Sequence, residues 1–146
     1  MAVVINSGDM EYKGTFTLGG TVAIKNGTYV VVNYATGVAL PTDATTGDLD
    51  VYLVDNLIDT VPEQLINDLD FVVKPGQYLR LAKHEYSDII TNTEFNGTLH
   101  VGDVIAPGVN GKVEAKAVRV PQQSYTVIDM ATLWAVPTIK YIVNAK

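Results

Sequence analysis

Short stretches of alternating apolar and polar residues, separated by glycine, asparagine and proline, run along most of the chain. Residues 48–54 alternate, with Leu49, Val51 and Leu53 on one face, which is typical of a half-buried strand. Residues 77–85 form another strand pattern, 124–136 a long one without glycine, and 138–144 a last one. Strands at this short spacing predict an all-β fold, either a small β-barrel or a sandwich.

Three Asn-Gly pairs mark predicted tight turns: Asn26-Gly27, Asn96-Gly97 and Asn110-Gly111. Asparagine and glycine tolerate the positive φ angles that two-residue hairpin turns require. We therefore expect residues 21–34 to form a hairpin around the first pair, and we expect a turn at each of the other two.

One segment has the pattern of a helix. Thr60-Val-Pro-Glu63 matches a capping box, in which Thr60 caps the helix and Glu63 reaches back to the cap amide. This predicts one short helix at about residues 61–68.

The first twenty residues are rich in glycine, which disfavours regular structure. We interpret residues 1–20 as an extended N-terminal arm and residues 21–146 as a single β domain. The apolar residues of the arm are candidate contacts for a partner, because a free arm would otherwise expose them all: Val3, Val4, Ile5, Tyr12 and Phe16. An ordinary frayed terminus is the alternative.

Composition narrows the function classes. A chain of 146 residues is long enough to bury a core as one domain. It has no cysteine, so a disulfide framework, a thiolate zinc site and a cysteine nucleophile are all excluded. The net charge of −6 argues against nucleic acid as a partner. Apolar runs are too short for a signal segment or a membrane span, so we expect no membrane partner.

The charged fraction is low, at 18% beside 47% hydrophobic residues. Strands favour Val, Thr and Tyr where helices would carry Glu and Lys, which is one explanation. A surface partly covered by a partner is the other, and the composition does not decide between them.

No motif for a metal ion stands out. His84 and His100 do not form the close histidine pair that seeds many metal sites. Asp43, Asp48 and Asp50 share a loop, but the spacing fails that of an EF-hand. A solvated acidic loop is the simpler interpretation, and an irregular calcium site is the alternative.

Catalytic motifs are equally weak. Ser7, Ser87 and Ser124 lie outside a Gly-x-Ser-x-Gly motif, although a triad assembled from distant residues stays open. The segment 108–112, Gly-Val-Asn-Gly-Lys, lacks the first glycine and the final Ser or Thr of a phosphate loop. We therefore expect a hairpin turn there, no enzyme activity, no catalytic or metal-binding residues, and no cofactor.

Three segments together resemble a known family: Gly76–Leu81, Gly102–Lys112 and Tyr125–Val143. Their order is a strand, a Gly-Asp hairpin ending in Gly-x-x-Gly-Lys, and a closing strand pair. This resembles the small structural proteins of tailed bacteriophages that decorate or cement the head, over roughly residues 70–144.

The resemblance implies a non-enzymatic virion protein, made in the bacterial cytoplasm and located on the outer capsid surface. Its partner would be the major capsid protein, whose neighbouring subunits it would hold together, and it would form a homo-oligomer such as a trimer. The N-terminal arm could add a strand to a capsid sheet, and many identical contacts on a lattice would sum to high avidity.

Three other functions remain as alternatives. Eight tyrosines and Trp134 are compatible with a glycan-binding module of a head fibre or tail appendage. A small β-barrel enzyme would use His84 or His100 as its base. The third alternative is another virion component, such as a head–tail connector or tail-tube protein.

Overall fold

The computed structural model describes residues 2–6, 11–46, 50–56, 71–84, 87–116, 124–133 and 136–144, with no side-chain description for residues 2–15 and Leu133. Over this part the chain is built almost entirely of strands, which confirms the all-β prediction. The strands are β1 (Ala2–Asn6), β2 (Glu11–Leu18), β3 (Tyr29–Asn33), β4 (Val38–Pro41), β5 (Val51–Val54), β6 (Tyr78–Lys83), β7 (Ile89–Asn92), β8 (Val104–Pro107), β9 (Val113–Ala115), β10 (Tyr125–Leu133) and β11 (Val136–Val143).

Five of these strands form a closed barrel in the order β2-β4-β3-β5-β6. Neighbours pair antiparallel, except that a short parallel contact between β2 and β4 joins Thr17 to Val38 and closes the ring. Closure leaves the barrel without an edge strand.

The other six strands form an antiparallel sheet in the order β1-β7-β11-β10-β8-β9. This sheet packs against the outside of the barrel wall made by β3, β5 and β6. Its two outermost strands in the described part of the chain are β1 and β9.

Strand β5 is buried on both faces. Tyr52 and Val54 point into the barrel, while Val51 and Leu53 belong to the core between barrel and sheet. The prediction of a half-buried strand is therefore wrong, because the second sheet covers the face that would otherwise meet water.

The barrel interior and the barrel–sheet contact are two separate apolar clusters. Barrel strands β3, β5 and β6 contribute to both, because successive residues of a strand point to opposite faces. The barrel interior contains Phe16, Leu18, Ile24, Val30, Ala39, Tyr52, Val54, Phe71, Val73, Leu79 and Leu81. The barrel–sheet core contains Tyr29, Val51, Leu53, Ala82, Ile90, Leu99, Ile105, Val113, Tyr125, Val127, Ile139, Tyr141 and Val143.

The first Asn-Gly pair does not make the predicted hairpin. Gly27 has a positive φ of 98°, as a turn there requires, but the two sides of the turn separate. Ile24 bridges Val73, whereas β3 pairs with β4 and β5. The turn was predicted correctly. The strand pairing was not, because closure of the barrel decides which strands pair.

The third Asn-Gly pair confirms its prediction. Asn110 and Gly111 have φ angles of 58° and 71°, within a short 3₁₀ turn that joins β8 to β9. Gly111 also lies against the barrel: a Cβ at this position would meet the carbonyl oxygen of Tyr29 at 2.6 Å. Only glycine permits this close approach of loop and barrel.

The predicted N-terminal arm contains two paired strands. Strand β1 pairs with β7 and belongs to the six-stranded sheet, whereas β2 is a strand of the barrel. Phe16 and Leu18 of β2 alternate into the barrel interior. The predicted helix at residues 61–68 lies outside the described residues.

Candidate functional site

The five predicted contact residues lie on strands of two different sheets. Val3 and Val4 lie on β1, in register with Thr91 and Ile90 of β7, and Ile5 lies on the same strand beside a register shift. Tyr12 lies on β2 opposite Ala82 in the barrel. The backbone thus divides the set between the edge of the sheet and the wall of the barrel.

Phe16, one of the contact candidates, belongs to the barrel interior. Its side chain is only 7% exposed, inside the barrel, and its ring meets the ring of Tyr34 edge to face, with 5.6 Å between centroids. A residue in this position stabilises the barrel by burying apolar surface and has little left to offer a partner.

Several described side chains that can titrate or form hydrogen bonds gather in a cluster between barrel and sheet. The Tyr29 hydroxyl lies 2.7 Å from His84 Nε2 and 2.7 Å from the Tyr141 hydroxyl. Asn92 donates one amide to Tyr141 at 3.2 Å and to the carbonyl of Gly27 at 3.0 Å. We call these residues, together with the neighbouring Tyr125, the tyrosine cluster.

The rings of the tyrosine cluster also pack on one another. Tyr125 stacks between Tyr29 and Tyr141, with centroid distances of 5.8 and 5.2 Å. His84 meets Tyr29 edge to face at 5.6 Å. Aromatic pairs in such arrangements add to the energy of simple burial. The cluster thus joins barrel strand β3 to sheet strands β7, β10 and β11 through both hydrogen bonds and ring contacts.

Burial keeps every titratable member of the cluster uncharged near neutral pH. Desolvation raises the pKa of Tyr141 to about 12, and it raises the pKa of both Tyr29 and Tyr125. Desolvation also lowers the pKa of His84 to about 4, against a smaller opposing effect of Asp88. These shifts are what a dry, uncharged environment produces.

The geometry indicates a structural role for the tyrosine cluster, which connects the barrel to the sheet. Its hydroxyls are bonded to one another and to protein groups, and Tyr29, Tyr125 and Tyr141 are fully buried. A general base must reach the proton it abstracts from a substrate, and His84 instead faces Tyr29 in the interior. The one buried atom of His84 without a hydrogen-bond partner is Nδ1.

The second histidine lies in a different setting. The side chain of His100 is 77% exposed, 3.7 Å from the Asp103 carboxylate in the turn before β8. The structure therefore does not bring His84 and His100 into one site, with one buried between barrel and sheet and the other in solvent.

The acidic loop directs its carboxylates to protein groups. Asp43 Oδ1 accepts from the backbone N–H groups of Thr45 and Thr46 and from both of their hydroxyls. These hydrogen bonds hold the pKa of Asp43 well below its ordinary value. Asp50 pairs with Lys83, and Asp48 lies outside the described residues. Nowhere in the described part of the chain do three His, Cys, Asp or Glu side chains gather to hold a metal ion.

The loop of residues 108–112, which superficially resembles a phosphate-binding loop, is already occupied by a carboxylate of the protein itself. Glu114 accepts the N–H of Val109 at 2.6 Å, and its carboxylate fills the space beside Gly108 where a Cβ would lie. A phosphate would have to displace this carboxylate, which agrees with the hairpin interpretation.

Sequence reasoning missed the tyrosine cluster. It noted the tyrosines, but strand periodicity alone does not tell which of them face one another across two sheets. The clearest unused signal was Asn92, a fully buried amide that requires partners. Among the tyrosines whose side chains are described, the exposed ones are Tyr34 and Tyr78 on the barrel, the latter 69% exposed.

The sequence matches no model of a known protein family and, at a significant level, no curated protein. Among the described residues, no helix is long and apolar enough to cross a membrane.

Proposed function

We propose that this chain is a non-enzymatic decoration protein of a tailed-phage head, which binds the major capsid protein on the outer surface and stabilises contacts between capsid subunits. The similarity of segments 76–81, 102–112 and 125–143 to such proteins motivates the proposal. The all-β fold, with the tyrosine cluster placed between barrel and sheet, is compatible with the proposal.

The observation that carries the proposal is the position of β1. This strand, Ala-Val-Val-Ile-Asn, has no charged residue and is, within the described part of the chain, the outermost strand at one end of the six-stranded sheet. An edge strand presents a row of backbone N–H and C=O groups on which another chain can add a strand. An uncharged, Val-rich edge is suited to docking against a capsid subunit.

The interior supports a binding role by a separate argument. Desolvation shifts the pKa values of Tyr29, Tyr141 and His84 towards their uncharged forms, and these side chains bond to one another. They stabilise the scaffold and direct their hydrogen bonds to protein groups. A rigid scaffold with an uncharged edge strand is typical of a protein that attaches to another protein.

Capsid binding is tested with a length-matched replacement of β1. Residues 2–6 are replaced by Gly-Ser-Gly-Ser-Gly, which leaves β2 in the barrel, and binding is measured by co-sedimentation. The probe is shells assembled from the major capsid protein of the same phage without this chain. We expect wild type to co-sediment and the replacement to bind at least about tenfold more weakly, because the pairing edge is lost.

The control is Val101→Ser, which changes an exposed apolar residue elsewhere and should bind like wild type. Thermal unfolding checks that each variant is folded. Failure of wild type to co-sediment would refute the decoration function itself. If the replacement bound as tightly as wild type, only the role of β1 would be lost.

The glycan-binding alternative rests on side chains in different settings, with Tyr34 and Tyr78 exposed and Trp134 outside the described residues. Tyr29, Tyr52, Tyr125 and Tyr141 are buried, and Asp43 is occupied by its own loop. A glycan array with and without calcium tests this alternative directly, and a saturable signal there would favour it over capsid decoration.

A further inference from the structure

Strands β10 and β11 continue beyond the sheet as a two-stranded ribbon. The neighbour β8 pairs only with Tyr125 and Thr126, and β7 pairs only with residues 139–142. Pairing of β10 with β11 nevertheless continues to Leu133 and Val136. We call residues 129–133 and 136–138 the ribbon. Its β10 side is in solvent, with residues 128–132 exposed.

The register shows which backbone groups of the ribbon face outward. Val127 donates to Asp103 and accepts from Gly102, so its groups point to the β8 side. A register shift between Val127 and Asp129 inserts one extra residue. Counting on from the shift, Met130 and Thr132 direct their N–H and C=O groups away from β11.

The N–H of Met130 confirms this direction, because it is donated to the carboxylate of the neighbouring Asp129 at 2.8 Å rather than to β11. The side chain of Asp129 thus covers an outward-facing amide of its own strand. An amide covered in this way is accessible to a competing carbonyl from another strand.

The two edges of the ribbon differ in how well they are protected against pairing with another strand. On β11, Pro137 has no N–H to donate, and proline is a residue that guards an edge against pairing. On β10, the run from Tyr125 to Leu133 has no proline, glycine or lysine, and Asp129 is its one charge. Strand β10 is therefore the unguarded edge.

We propose that residues 129–133 of β10 pair antiparallel with the same residues of a second copy of this chain, about a twofold axis at Ala131. In this register Met130 lies opposite Thr132 of the second copy, so both outward-facing residues of each copy are used. An axis at Met130 would use only one of them. Asp129 lies opposite Leu133 of the second copy, and no like charges meet.

The physical properties of the ribbon favour this occupant. An isolated two-stranded ribbon is marginal in water, and pairing with a second ribbon doubles its width. Ala131 is small, which suits the closest approach at the axis, where Cα atoms of opposed residues come within about 4.5 Å. Releasing Asp129 from Met130 costs little, because both groups are exposed to water. The pairing needs no capsid and is independent of the decoration function.

Charge at the axis tests the pairing. Ala131→Lys and Ala131→Asp each place like charges opposite each other, and we expect each to weaken dimerisation roughly tenfold. An equimolar mixture of the two variants should restore it. The readout is mass by light scattering and sedimentation over a concentration series of the free protein.

A cysteine provides a second, independent readout. The chain has no native cysteine, so Ala131→Cys is a single-thiol protein. We expect it to form a disulfide dimer much faster than Thr36→Cys, a control in an exposed turn of the barrel. A wild type that stays monomeric at every concentration would overturn the proposal, and so would a dimer unaffected by Ala131→Lys.

Discussion

The barrel closes on itself, whereas the six-stranded sheet ends in edge strands and extends a ribbon into solvent. Both parts use the same residue types and bury alternate faces of their strands. The difference lies in where backbone hydrogen bonds are completed. A closed barrel completes them internally, and an open sheet leaves some for a partner.

This comparison indicates a division of roles within one small chain. The barrel and the tyrosine cluster provide rigidity, and the open sheet provides β1 and the ribbon as places for other chains. The apolar core between barrel and sheet makes them one unit. If that core is shared, substitutions within it should destabilise the whole chain.

The largest expected effect is at Leu53, a barrel residue whose side chain packs against the sheet. It is 1% exposed, and Leu53→Ala should lower the free energy of unfolding by about 2–5 kcal/mol through lost burial and a cavity. Leu40→Ala, at a barrel leucine that is 51% exposed, is the matched control and should cost less than about 0.5 kcal/mol. Equal effects in urea denaturation would mean that barrel and sheet do not share a core.

Acid should weaken the same contact through His84. Its folded pKa of about 4 lies below the ordinary 6.5, so the unfolded chain takes up the proton first. Stability is therefore full above pH 6.5 and falls as the pH drops towards 4, by about 3 kcal/mol in total.

The pH effect is isolated by comparing variants. His84→Gln should show a flatter fall in unfolding free energy between pH 7 and pH 4 than wild type, since it cannot take up the proton. His100→Gln, at an exposed side chain, should follow the wild-type curve. Parallel curves for wild type and His84→Gln would show that His84 is not held neutral by burial.

A smaller effect tests the approach of the β8–β9 loop to the barrel. Gly111→Ala and Gly97→Ala both place alanine at a positive φ, 71° and 75°, which costs about 1 kcal/mol each. Only at Gly111 does the added Cβ also meet the barrel, so its variant should lose roughly 1–3 kcal/mol more. Equal losses by thermal unfolding would place the loop away from the barrel.

The smallest expected effect is the loss of one hydroxyl from the tyrosine cluster. Tyr141→Phe should cost about 1–2 kcal/mol, because the Tyr29 hydroxyl and the Asn92 amide each lose a buried partner. In Tyr34→Phe the lost hydrogen bond, to Tyr52, belongs to an exposed ring, and the cost should be smaller. If Tyr34→Phe lost more unfolding free energy than Tyr141→Phe in urea denaturation, the proposed structural role of the cluster would be contradicted.

Local chemistry predicted much of the fold. The Asn110-Gly111 turn and the Gly102–Lys112 hairpin follow from backbone preferences that act within a few residues. Strand β6 lies within the predicted 77–85 for the same reason. Predictions of this kind succeed because neighbouring residues alone determine them.

Predictions that depend on distant partners fared worse. Thr28–Tyr34 has the pattern of a hairpin arm, but β3 pairs with β4 and β5. Phe16 was assigned to an arm, although the alternation of Phe16 and Leu18 fits a strand with one buried face. The glycines around it hid that pattern. The candidate contact set was divided between two sheets for the same reason: no local signal says which sheet a strand joins.

By itself the sequence determined the all-β character, the turn positions and the absence of cysteine chemistry, because these depend on residue type and short spacing. Only the tertiary structure decided that the barrel closes and that the second sheet covers β5. It also placed Tyr29, His84, Asn92, Tyr125 and Tyr141 in one buried cluster and left β1 at an edge. Strand pairing joins residues far apart in the chain, and its energy depends on closure and burial of the whole, which no short window of sequence contains.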